Sequence, residues 1–135
     1  MPKVMSGQEG RAPSAQEIEA IARATLASLP LEFRAHVGEI VLIVEEFADE
    51  ETLDALNVDD PFDLTGVYHG QSMGGKSSMD SGALPDRIHL YRRAILDEWV
   101  ESGELLESLV RHIVVHEVGH HFGLSDDAMH RLEGE

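Results

Sequence analysis

The chain contains no cysteine. Disulfides and thiolate ligands are therefore excluded, and any metal must be held by imidazole and carboxylate. Long apolar runs are also missing: no stretch approaches the ~20 residues of a membrane-spanning helix. Residues 1–30 lack the apolar segment of a secretory signal, so a cytoplasmic location is the expectation. Basic residues are scarce, with 10 Lys plus Arg against 26 Asp plus Glu and a formal net charge of −16. That balance argues against nucleic-acid binding, which recruits basic surfaces. It favours solubility and basic or neutral partners.

At 135 residues, with 42% hydrophobic and 27% charged side chains, the chain suits one globular domain with one modest core. Residues 1–13 read as a flexible arm and 14–135 as the domain. Ser14 and Glu17 form a capping-box signature, and Ile18, Ile21, Ala22, Thr25, Leu26 and Leu29 follow at helical spacing until Pro30 ends the element. Ile40-Val41-Leu42-Ile43-Val44 is a β-branched run of the kind buried on both faces. Asp49, Glu50 and Glu51 suit the start of a short helix ending near Asn57.

Gly66 to His69 reads as a second strand, and the Gly- and Ser-rich stretch from Gly70 to Asp86 as a long mobile loop. Arg87-Ile88-His89-Leu90-Tyr91 alternates and reads as a third strand, placed at a sheet edge where an extended peptide could add to it. A helix from about Arg93 to Ser102 turns Ile95, Leu96, Trp99 and Val100 inward, and Gly103 breaks it. The next helix, Glu104 to Phe122, packs Leu105, Leu109, Ile113 and Val114 against the core. A last short helix is capped near Ser125 or Asp126 and runs to about Leu132. The fold class implied is α+β.

The chemistry concentrates in His116-Glu117-Val118-Gly119-His120-His121-Phe122-Gly123-Leu124-Ser125-Asp126, which reads H-E-x-x-H-x-x-G-x-x-D. Imidazoles four apart on a helix are offset by only about 40°, so His116 and His120 can reach one cation. Glu117 points partly aside, where it can hold a metal-bound water rather than the metal. Gly123 permits a positive-φ exit from the helix, after which the chain can bring Asp126 in as a third ligand. Three protein ligands and one open position is the arrangement of catalytic zinc. Imidazole and carboxylate also accept manganese, iron or nickel.

Other histidines compete for roles. His112, one turn before His116, suits a supporting or surface position better than ligation, and His121 lies about 100° around the helix from His120. His130 is an alternative third ligand to Asp126. Asp127 suits the start of a helix, where the macrodipole favours acids. His69 and His89 read as isolated sheet-surface residues. Tyr68 or Tyr91 could donate to a developing oxyanion, although the sequence places neither near the metal.

The chain resembles the small bacterial zincin-like metallopeptidase family. The likeness rests on Asp63-Leu64-Thr65-Gly66-Val67-Tyr68-His69-Gly70, on Leu84-Pro85-Asp86-Arg87-Ile88-His89-Leu90-Tyr91-Arg92, and on the metal motif with Met129-His130-Arg131-Leu132 behind it. It implies a minimal zincin fold, with a small mixed sheet packed on helices and the motif helix beneath. It also implies His116, His120 and Asp126 as ligands of one zinc per chain, with Glu117 as general base. The motif is similar to that of the metzincins but carries Asp in place of their third His, and the short tail after Asp126 leaves no room for their methionine turn.

The activity expected is zinc-dependent hydrolysis of peptide bonds in a peptide or protein substrate. Two alternatives stay open: a non-catalytic metal-binding or protein-interaction module derived from a zincin fold, and a zinc hydrolase of small amides or esters. Substrate preference and oligomeric state are not written in the sequence.

Overall fold

The computed structural model describes residues 11–31, 33, 40–70 and 85–134. Most of the expected N-terminal arm and most of the loop between Gly70 and Asp86 lie outside the described residues. Helix α1 (Ala15–Ala27) begins where the capping box requires: Ser14 Oγ accepts from the Glu17 N–H at 3.1 Å, and Glu17 Oε1 accepts from the Ser14 N–H at 2.7 Å. Two amide donors that the helix cannot pair internally are thereby satisfied. Its buried stripe, Ile18, Ala22 and Thr25, lies on the face the sequence periodicity picks out.

Among the described residues three strands form a mixed sheet in the order β1-β3-β2. Strand β1 (Val41–Glu45) runs parallel to β3 (Arg87–Tyr91), and β2 (Gly66–His69) runs antiparallel to it. This is the small mixed sheet of an α+β fold. Two expectations about the strands are corrected. β3 is central, bonded on both sides, so no peptide can add to its edge. Among the described residues β1, expected to be buried on both faces, is an edge strand whose one buried residue is Leu42. Alternation in β3 reports one buried face, with Ile88 and Leu90 inside; it carries no information about how many neighbours the backbone has.

The main core joins Ile18 and Ala22 of α1, Leu42, Ile88 and Leu90 of the sheet, and Leu109, Val110, Ile113, Val114, Val115 and Val118 of the long helix α4 (Leu106–His121). On the other face of the sheet a smaller cluster holds Ala48, Tyr91 and Ala94, with Leu53 and Val67 against it. Helix α2 (Glu50–Ala55) is capped by Asp49, whose carboxylate accepts from the Thr52 N–H, and a 3-10 turn spans Pro61–Asp63.

Helix α3 (Arg92–Ser102) buries Ala94 and Ile95 and stops at Gly103, which takes φ 75°. Val100 and Leu105 were both expected inside and are instead 77% and 72% exposed. Val100 is five residues beyond Ile95 and so about 140° around the helix from it. Leu105 is the N-cap of α4 rather than part of its inward stripe. Among the described residues no helix is long and apolar enough to cross a membrane.

Candidate metal and catalytic site

The site is built on α4 and on the helix that folds back against it, α5 (Asp126–Gly134). Leu109, Val110, Ile113, Val114 and Val118 hold the inner side of α4 in the core, which leaves His112, His116 and His120 as a strip one turn apart on another side. The His112 and His116 rings lie 4.1 Å apart, and those of His116 and His120 lie 5.9 Å apart and nearly perpendicular.

Glu117 turns towards the sheet. Its Oε1 accepts from the Tyr68 backbone N–H at 3.2 Å. That donor is available because Tyr91 N–H bonds Thr65 C=O, which sets the antiparallel register so that Tyr68 presents its N–H on the side of β2 away from β3. The strand edge bordering this carboxylate is therefore that of β2. Burial pushes the Glu117 pKa above the usual carboxylate value, outweighing the lowering effects of the Tyr68 N–H and of His120.

The end of α4 follows the sequence expectation. Gly123 adopts φ 72°, its N–H bonds His120 C=O, and Leu124 N–H reaches back to Gly119 C=O at 2.8 Å. This pair is a Schellman cap, which reverses the chain using a left-handed glycine. Ser125 Oγ then caps α5 by accepting from the Ala128 N–H. The close contact of the two helices centres on Gly119 and Met129: a Cβ on Gly119 would overlap the Met129 sulfur, and Met129 is 1% exposed.

Folding back in this way brings Glu133 beside the histidine strip. Its Oε1 lies 2.8 Å from His112 Nδ1 and its Oε2 lies 2.9 Å from His116 Nε2. Burial alone would raise the Glu133 pKa, but the hydrogen bonds and charges of His112 and His116 outweigh it and hold the carboxyl below its usual range. Among the described residues, the set of three donor atoms that lie within 4.8 Å of one another comes from His112, His116 and Glu133. Asp126 stands exposed in the first turn of α5, outside that set, and His130 is exposed farther along the same helix.

Glu133 has no signature of its own in the sequence. The signal that could have found it is the Gly119–Met129 contact: with those residues paired in an antiparallel hairpin of helices, Glu133 falls opposite the turn containing His116.

The remaining histidines and tyrosines form two groups. Tyr68 stacks on His121 at 4.1 Å and donates its hydroxyl to Asp86 Oδ2 at 2.7 Å. Burial and the Asp86 carboxylate both raise the Tyr68 pKa. Burial pushes Tyr91 up to about 12. His69 and His89, read from the sequence as isolated, meet on the far face of the sheet with ring centroids 4.8 Å apart. Glu45 Oε1 lies 2.8 Å from His89 Nδ1. Burial, the nearby His89 and Arg87 lower the His69 pKa.

Two imidazoles on successive turns, carboxylates on the same and the neighbouring helix, and no thiol make a donor set that fits zinc. The family model described as zincin-like metallopeptidase matches residues 37–135. No curated protein matches the chain.

Proposed function

Since this chain belongs to the zincin-like metallopeptidase family, we propose that it is a zinc-dependent peptidase acting on peptide or protein substrates, with Glu117 as general base. The observation that supports this reading best is the placement of Glu117. It is a carboxylate one residue along from His116, partly withdrawn from water, and oriented by a main-chain donor. A metal held only for structure has no use for such a group.

His116, His120 and Asp126 are the proposed ligands of the catalytic metal, with Asp126, exposed just past the turn at Gly123, closing on the pair when the metal binds. Zinc bound there would supply Lewis acidity, polarising a scissile carbonyl and lowering the pKa of water. The work of the chain itself falls to Glu117, which takes a proton from the attacking water and returns it to the leaving amine. A raised pKa suits both halves of that task, because the proton must be accepted and released near neutral pH. The Tyr68 N–H fixes one carboxylate oxygen and so sets the direction in which the proton moves.

The test is Glu117→Gln in protein loaded with zinc, assayed against a peptide library. The expected result is unchanged zinc content and loss of cleavage, with wild-type cleavage abolished by a chelator and restored by zinc. A Gln variant that still cleaves would overturn the role given to Glu117. A wild type that holds zinc but cleaves small amides and no peptide would overturn the substrate class.

A further inference from the structure

His116 faces two neighbours on its own helix, His120 on one side and His112 on the other. Its Nε2 is the atom directed at Glu133. Glu133 in turn spans His112 and His116, one oxygen to each ring, at 2.8 and 2.9 Å. For tetrahedral zinc with bonds of about 2.0–2.1 Å, ligand atoms sit about 3.3 Å apart. The three donor atoms lie within 4.8 Å of one another, with one Glu133 oxygen on each ring, so side-chain rotation can bring one oxygen and both ring nitrogens to that spacing.

The end of α5 that carries this carboxylate is also held in place. Arg111 of α4 donates from Nε to the Glu133 carbonyl oxygen and from a terminal guanidinium nitrogen to that of Leu132. The three side chains are 20–49% exposed, so a cation can reach them and complete its coordination with water.

We propose that His112, His116 and Glu133 form a second divalent-cation site, for zinc or a metal of similar preference, that competes with His120 for His116. The competition follows from the single lone pair on a ring nitrogen: Nε2 turned towards Glu133 is not available to a cation shared with His120. Three imidazoles in register along α4 thus offer two alternative pairs: Glu133 of α5 meets one, and Asp126, the ligand proposed above, would complete the other. A corollary rests on the functional reading above: zinc-loaded chains with His116 drawn into the second site are inactive as peptidase, and because each chain holds one zinc in either arrangement, excess zinc leaves that fraction unchanged. The site itself does not depend on that reading.

Zinc binding by the full chain, measured by calorimetry and metal analysis without any activity assay, tests the proposal. His120→Ala removes the motif pair at an exposed position and is expected to keep about one zinc per chain. His120→Ala combined with Glu133→Gln, or separately with His112→Ala, is expected to keep none. Circular dichroism checks that each variant is folded, and the two double variants provide independent routes to the same answer. Loss of all zinc in His120→Ala alone overturns the second site while leaving wild-type binding and the peptidase reading intact. Retention of zinc in both double variants overturns it equally.

Discussion

Glu117 is joined to β2 by a single bond, from the main-chain N–H of Tyr68 to Oε1 at 3.2 Å. Only the backbone of Tyr68 is involved, so the side chain at that position and the orientation of Glu117 can be varied separately.

The partly buried Glu117 carboxyl has a pKa raised above its ordinary 4.5. The folded state therefore binds that proton more tightly than the unfolded state, and stability rises as pH falls through the raised pKa, levelling out below 4.5. At neutral pH the ionised group weakens the metal-free fold. Glu117→Gln removes the charge while keeping an oxygen for the Tyr68 N–H, so its melting temperature should exceed that of the wild type at pH 8. The gap should close by about pH 4. Thermal melts of metal-free protein across that range check the sign, and a gap independent of pH would contradict the charge argument.

Tyr68→Phe deletes the hydroxyl that donates to Asp86 but keeps the ring stacked on His121 and the N–H aimed at Glu117. A hydrogen bond to a charged group contributes about 1.5–3 kcal/mol when buried. In this half-buried setting a loss of about 1–2 kcal/mol in denaturant unfolding is expected. Zinc affinity should not change, and a substantial fall would mean that the Asp86 contact also positions Glu117.

Gly119→Ala places a methyl where the Met129 sulfur now sits. Overpacking of this kind destabilises by about 1–3 kcal/mol, and the strain should appear as loosening of α5 from α4. Met129→Ala alone leaves a cavity. The double variant should be more stable than the sum of the two single losses predicts, by about 1 kcal/mol. Simple additivity in a double-mutant cycle would show that the two residues do not compete for the same space.

Local features were readable before the fold was seen. Ser14 and Glu17 announce the start of α1, Gly103 and Gly123 the ends of two helices, and the spacing of His116 and His120 their shared face. Each depends on atoms within about five residues of one another. Strand order was not readable, because the pattern of Arg87 to Tyr91 gives a buried face but no count of neighbours. The β-branched run at Ile40 to Val44 misled for the same reason, since strand propensity does not distinguish an edge from a centre. Glu133 was missed because its position depends on how one helix docks on another.

The contact of Gly119 with Met129 also makes α5 a clasp. His112, His116 and His120 belong to one jaw, Glu133 to the other, and the hinge between them is Gly123. A cation that binds only the shut form strengthens it by RT ln(1 + [L]/Kd), about 2.7 kcal/mol at a hundredfold excess over Kd. Fraying of the α5 jaw, and with it amide exchange and protease access there, would then follow the concentration of free metal around the protein.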